Sequence, residues 1–218
     1  MNGMPLTFAG ATLEARASGA LWWADARLLC VSDLHLGKAE RQARRGGSLL
    51  PPYETAETLE RLDAEIEALS PGIVICLGDS FDDTASESAL DPAHRLWLSR
   101  LIAGRDWIWI AGNHDPGPLS LAGRHLAEYD AGPLSFRHIA GAEAAPGEIS
   151  GHYHPKARLG GVGRRCFLVD ESRLILPAFG TYTGGMSITA PELAALVSKT
   201  ARAILTGPTQ VILPAARA

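Results

Sequence analysis

The side chains best suited to chemistry are aspartates and histidines gathered in five short clusters. These are Asp33-Leu-His35, Gly78-Asp79-Ser-Phe-Asp82, Gly112-Asn113-His114-Asp115, the isolated His138, and Gly151-His152-Tyr-His154. Carboxylate, imidazole and amide oxygen donors without thiolate suit hard or borderline divalent ions such as Mn²⁺, Fe²⁺ or Zn²⁺. A carboxylate set between two such ions can bridge them at about 3.5 to 4 Å, and the pair then clamps both oxygens of an in-line displacement at phosphorus. Glycines ahead of Asp79, Asn113 and His152 permit turns sharp enough to aim the donors at one point. Singly, each cluster is ordinary, since Asp caps helices and Gly-Asp forms turns. Together they are not: five of the seven histidines fall inside the clusters. The other two, His94 and His125, read as surface residues.

The elements that must position these donors follow from apolar patterning. Leu28-Val31, Ile73-Leu77 and Trp107-Ala111 are near-continuous apolar runs, as expected of strands covered on both faces. Tyr53-Leu69 carries Leu59, Leu62, Ile66 and Leu69 on one helical face, and Pro71-Gly72 stops it. Pro92 to Leu101 is a second helix, with Leu98, Leu101 and Ile102 as its inner stripe. This β-α-β-α-β order predicts a parallel sheet with helices on its faces, and three of the clusters follow its strands directly, where ligands of open α/β sheets gather. Beyond Asp130 the strands are short, around Leu134-Arg137, Cys166-Val169 and Leu174-Leu176, and predict a second sheet built mainly of hairpins. Nothing repeats, no linker separates the halves, and one domain over residues 1–218 is expected.

Composition removes some function classes and leaves others open. A formal net charge of -4 provides no global attraction for nucleic acid, so contact with a polyanion needs a local patch or bound cations. The basic run Lys38, Arg41, Arg44 and Arg45, with Arg137, is the candidate patch; a solvated face is the other reading of it. Cys30, Cys76 and Cys166 are isolated among apolar residues and read as reduced core thiols. No run reaches the ~20 apolar residues of a spanning helix and no signal segment precedes the first strand. A cytoplasmic location is the default expectation, without membrane contact.

The order D-x-H, G-D-x-x-D, G-N-H-[DE], lone H and G-H-x-H resembles the calcineurin-like metallophosphoesterase superfamily, over roughly residues 30 to 155. The resemblance implies a four-layer αββα sandwich, an α/β fold with two packed mixed sheets flanked by helices. It implies one ion on Asp33, His35, Asp79 and His154 and a second on Asp79, Asn113, His138 and His152, with Asp79 bridging and Mn²⁺ the first choice. A hydroxide between the ions would attack phosphorus in line. His114 would contact the leaving oxygen as the catalytic acid, with Asp82 orienting its ring.

A narrower likeness rests on Leu21-Trp22-Trp23, Asp33-Leu-His-Leu-Gly-Lys38, the Leu50-Pro51-Pro52 turn and Leu176-Pro-Ala-Phe-Gly-Thr-Tyr-Thr-Gly-Gly185. These resemble the bacterial DNA ligase-associated metallophosphoesterases, or ligase-associated DNA damage response endonucleases. That likeness implies DNA as substrate, a repair setting, and association with an ATP-dependent DNA ligase and a DEXH-box helicase. Asp83 stands where phosphoprotein phosphatases continue Arg-Gly, which argues against a phosphoprotein substrate. Three readings therefore stand at this point: a phosphodiesterase or nuclease, a phosphomonoesterase or phosphoprotein phosphatase on the same metals, and a non-catalytic scaffold, which would be expected to lose ligands. The Leu176–Gly185 segment could be a binding loop, a subunit contact or a turn.

Overall fold

Alternation within the apolar strands decides the layering. The computed structural model describes residues 3–47, 51, 53–143 and 145–215; Leu50 and Pro52 of the expected turn lie outside them. The first sheet has seven strands in chain order: β1 (Gly3–Phe8), β2 (Ala11–Arg16), β3 (Leu21–Trp23), β4 (Leu28–Val31), β5 (Ile73–Leu77), β6 (Asp106–Ile110) and β7 (Arg124–Leu126). β1 to β4 run antiparallel, and β4 to β7 are parallel. Leu28, Cys30, Ile75, Leu77, Ile108 and Ile110 turn toward the second sheet. Their neighbours Leu29, Val31, Val74, Cys76, Trp107 and Trp109 turn the other way.

Between these strands run α1 (Lys38–Arg44), α2 (Glu54–Leu69), α3 (Thr84–Ser88) and α4 (Pro92–Ile102). α2 and α4 cover the outer face with Leu59, Leu62, Ile66, Leu98, Leu101 and Ile102, the stripes expected from their spacing. Full burial stabilises each such side chain by roughly 1.5–3 kcal/mol. Asp91 caps α4 by accepting from Ala93 N at 2.8 Å, and Asp83 caps α3 by accepting from Ser86 N at 2.8 Å.

The second sheet comprises β8 (Glu128–Ala131), β9 (Leu134–Arg137), β10 (Glu148–Ser150), β11 (Pro155–Leu159), β12 (Val162–Val169), β13 (Arg173–Ile175), β14 (Met186–Ser187), β15 (Arg202–Leu205) and β16 (Ile212–Pro214). Hairpins β8–β9, β11–β12 and β15–β16 match the expectation for this half. The centre corrects it, because β10 pairs parallel with both β9 and β13. The fold is thus α/β with two mixed sheets and helices. Phe136, Ile149, Phe167, Val169, Leu174 and Leu176 complete the core between the sheets. The outermost layer is thin: α5 (Pro191–Ala194) places Leu193 beside Ile188 over Leu168, Ile175 and Leu205. Cys30, Cys76 and Cys166 are free and buried, as read. His94 and His125 are not surface residues but half-buried, and the His125 ring stacks on Trp109. Among the described residues no helix is long and apolar enough to cross a membrane.

One buried ion pair ties the first sheet to its helices. Arg16 Nε on β2 donates to Glu65 Oε2 on α2 at 2.9 Å, with the Glu65 side chain fully enclosed. Removing one partner leaves an uncompensated buried charge. Arg16→Met should lower the free energy of unfolding in urea by about 3–5 kcal/mol, and replacing Glu65 by Leu as well should recover most of that loss. A single-variant loss below about 1 kcal/mol would contradict this role.

Candidate metal centre

Two sets of parallel strands end at one place. Asp33 and His35 follow β4, Asp79 and Asp82 follow β5, and Asn113 and His114 follow β6; His138 follows β9 and His152 follows β10. Asp33 at 0%, His35 at 3%, Asp79 at 2% and His138 at 4% exposure are enclosed, whereas Asn113 is exposed and His114, His152 and His154 are half-buried. The enclosed donors form a floor, and the exposed ones surround a mouth open to solvent.

The backbone is bent to reach this arrangement. Asp33, His35, Asp79, His152 and His154 all have positive φ, between 46° and 68°. Each such non-glycine residue costs of order 1–3 kcal/mol and persists only where its surroundings over-determine it. Gly112 and Gly151 meet the same constraint sterically: a Cβ at Gly112 would collide with the Asp79 amide, and one at Gly151 with the Ser32 hydroxyl.

Hydrogen bonds fix one side of several donors and leave the other side free. Asp33 Oδ2 accepts from Ser32 Oγ at 2.5 Å and from His152 N at 3.0 Å, while Asp33 Oδ1 is buried without a hydrogen bond. His154 Nε2 lies 3.1 Å from that oxygen and is likewise unpartnered. His35 Nδ1 stands 2.9 Å from Asp82 Oδ1, and its Nε2 is buried and unpartnered. His138 Nδ1 donates to Leu77 O at 3.0 Å, which presents the lone pair on Nε2. Around that lone pair stand Asn113 Oδ1 at 3.0 Å, His152 Nδ1 at 3.3 Å and Asp79 Oδ2 at 3.4 Å.

This is the test of fit for metal ions, and the residues pass it. Two ligands of one ion at ~2.1 Å and a right angle stand about 3 Å apart, close to the 3.0–3.4 Å separations among these atoms. Asp33, His35 and His154 form one group, and Asp79, His138 and His152 another. Asp79 joins them. Its Oδ1 accepts from His114 N at 2.8 Å, while Oδ2 faces His138 Nε2 on one side and His35 Nε2, 4.0 Å away, on the other. All seven expected ligands therefore converge.

The structure alters the expected part of Asp82. His114 Nδ1 donates to the Asp82 backbone carbonyl at 2.8 Å, not to the carboxylate. That carboxylate is engaged instead by His35, by Arg41 Nη1 at 2.7 Å and by Lys38 Nζ at 3.6 Å. Burial alone would raise its pKa, but His35, Arg41 and Lys38 hold it well below the usual carboxylate range. Asp79 is likewise opposed by burial yet drawn down to about 2 by His138, the His114 amide and His35. Asp115 goes the other way, pushed up to about 7 by burial and by Asp79 against the Phe81 amide, which donates to its Oδ2 at 3.0 Å. It braces the loop carrying Asp79 and Asp82.

The candidate basic residues are less free than their spacing implies. Arg41, Arg44 and Arg45 surround Asp83, and Arg137 lies between Glu128 and Glu148. Arg137 does line a cavity of about 290 Å³ with Gly112, Asn113 and His138, directly beside the metal ligands. Sequence reasoning missed Ser32, which orients Asp33, and the hold on the Leu176–Gly185 segment. Phe179 N donates to Ser32 O at 2.7 Å and Gly180 N to Asp33 O at 3.0 Å, so that segment clamps the backbone of a ligand.

Comparison with known proteins places this geometry. The family model described as calcineurin-like phosphoesterase matches residues 26–174, a span holding all five clusters. No curated protein matches the sequence. The crystal structure of the Pseudomonas putida nuclease MPE is similar at 29% identity with a TM-score of 0.77, over 97% of this chain and 100% of that one.

Proton competition should reveal the second group of donors. Burial lowers the proton affinity of His138, but Asp79, Asp33 and the Leu77 carbonyl outweigh it and raise its pKa to about 8. An ion must displace that proton. Affinity for Mn²⁺, measured by calorimetry, should therefore climb as pH rises toward about 8 and level off above it; a flat profile from pH ~6 to ~8 would contradict the assignment.

Proposed function

Because the chain belongs to the calcineurin-like phosphoesterase family, we propose that it is a binuclear-metal phosphodiesterase acting on DNA, a nuclease. The observation that carries the reading is the shared carboxylate of Asp79, whose Oδ2 faces His138 Nε2 of one donor group at 3.4 Å and His35 Nε2 of the other at 4.0 Å. Asp33, His35, Asp79 and His154 would hold one ion, and Asp79, Asn113, His138 and His152 the other. Oxygen and imidazole donors without sulfur favour Mn²⁺, with Fe²⁺ or Zn²⁺ as alternatives. When bound, the cations supply charge neutralisation on the phosphate and a water acidic enough to attack near neutral pH.

The remaining work falls to the chain itself. His114 has its Nδ1 hydrogen committed to the Asp82 carbonyl, so Nε2 is the nitrogen left to face substrate, and its half-buried ring stands at the mouth. With Nε2 protonated, His114 can donate to the departing oxygen. Its backbone amide holds Asp79 Oδ1, so acid and bridging carboxylate are positioned together. Asp82 acts through others: its carboxylate lies 2.9 Å from His35 Nδ1, and its carbonyl fixes the His114 ring. The cavity beside Asn113 and His138 leaves room for a group flanking the phosphorus. A DNA substrate is supported by the likeness to a solved nuclease over nearly the whole chain. The narrower sequence likeness to DNA ligase-associated metallophosphoesterases points the same way.

With Mn²⁺ added, turnover of bis-p-nitrophenyl phosphate should exceed that of p-nitrophenyl phosphate; the reverse order would favour a phosphomonoesterase. His114→Ala should keep both ions by elemental analysis and lose about 10²- to 10⁴-fold in rate on a DNA oligonucleotide. Undiminished cleavage by that variant would remove His114 from the mechanism.

A further inference from the structure

A chain of net charge -4 can hold a nucleic-acid backbone only through local cations that its own carboxylates leave uncompensated. The four cations on and after α1 share the two carboxylates of Asp82 and Asp83, and Arg137 lies between Glu128 and Glu148. On another side of the centre the balance is different. Arg61 from α2 and Arg165 from β12 both donate to the Phe179 carbonyl, Arg165 at 3.4 Å. Arg61 also reaches Thr181 Oγ1 at 3.4 Å, and Arg165 the Gly180 carbonyl at 2.7 Å. Lys156 stands directly opposite Arg165 in the antiparallel β11–β12 register, so both side chains leave the sheet on one face. Its stem passes close to Gly185. Among the described residues none of the three has a carboxylate at ion-pair distance.

Such a trio is unfavourable in isolation. Like charges at directly opposed strand positions repel, and burial together with the charge of Arg61 brings Arg165 down to about 10. Carbonyl dipoles, and for Arg61 the Phe179 ring 4.8 Å away and the charge of Glu57, answer part of this charge, but each guanidinium has five N–H donors and the loop engages only some of them. The trio also adjoins the metal centre. The loop it holds donates from Gly180 N to Asp33 O and from Met186 N to His154 O at 3.1 Å, and Lys156 is two residues from His154. An anion with several acceptor oxygens would relieve the repulsion, and arginine forks match phosphate in geometry.

We propose that Arg61, Lys156 and Arg165 form a cationic subsite for a nucleic-acid phosphate neighbouring the one that is hydrolysed. This rests on the nuclease reading above and adds where the strand lies: it runs from the metals toward the Phe179–Thr181 loop.

The test compares cleavage of a single-stranded DNA oligonucleotide over a range of salt with turnover of bis-p-nitrophenyl phosphate, which has no neighbouring phosphate. The proteins are the unaltered chain, Arg165→Gln, Lys156→Gln and Arg165→Lys, all loaded with Mn²⁺. Each Gln variant should raise KM on DNA about tenfold and reduce the slope of log KM against log salt by roughly 0.7. Its loss on DNA should exceed its loss on the small diester at least about tenfold, and Arg165→Lys, which keeps the charge, should restore the slope. The Lys156 side chain makes no hydrogen bond among the described residues, so Lys156→Gln decides the matter should Arg165→Gln not fold. Equal losses on both substrates, as loop bracing alone would give, or an unmoved salt slope overturns the subsite while leaving the nuclease reading intact. An unaltered chain that turns over the small diester but neither binds nor cuts DNA rejects that reading, and the subsite with it.

Discussion

Two carboxylates, Asp33 and Asp79, sit almost wholly out of water and face the lone pairs of imidazoles and an amide oxygen. Burying a charge without compensation is among the most unfavourable things a fold can do. Here proton donors satisfy only one oxygen of each: Ser32 Oγ and the His152 amide serve Asp33, and the His114 amide serves Asp79. The inward oxygens and nitrogens share the capacity to give a lone pair to a cation. Positive charge between them is therefore the condition on which the centre depends, and the groove, the acid and the strained loops are arranged around it.

That condition explains features that packing alone does not. Five ligands adopt left-handed backbone conformations, which a loop free to relax would avoid. They are held because each loop is fastened to the others: Asp33 N donates to Gly78 O at 3.2 Å, His35 N to Asp79 O at 2.9 Å, and Gly151 N to His138 O at 2.9 Å. Both sheets contribute because both have parallel centres whose carboxyl ends meet at one edge. A hairpin-only second sheet would have sent His138 and His152 to opposite ends. The same fastening brings the Leu176–Gly185 segment against Asp33, so a stretch of chain remote in sequence has become a wall of the site.

Much of this was legible in the residues. The near-continuous apolar runs of β4, β5 and β6 reported burial on both faces, and the donors followed them where chain loops diverge. The β1–β2 hairpin, turning at Ala9-Gly10, was not among the expected elements. Other features were not readable. Whether Asp82 meets His114 through its carboxylate or its carbonyl depends on the path of the backbone, which residue types do not report. Parallel pairing of β9, β10 and β13 depends on contacts distant in sequence, which strand length and turn residues do not encode. The compensation of Arg137 by Glu128 across β8–β9, and the lack of any such partner for Arg165 among the described residues, emerge only when strands are in register.

The most direct test is to locate the ions themselves. Crystals grown with Mn²⁺ should give two anomalous scattering peaks about 3.5–4 Å apart, with Asp79 Oδ2 between them, one peak bounded by Asp33, His35 and His154 and the other by Asn113, His138 and His152. A single peak, or two that do not share Asp79, would contradict the account at its centre.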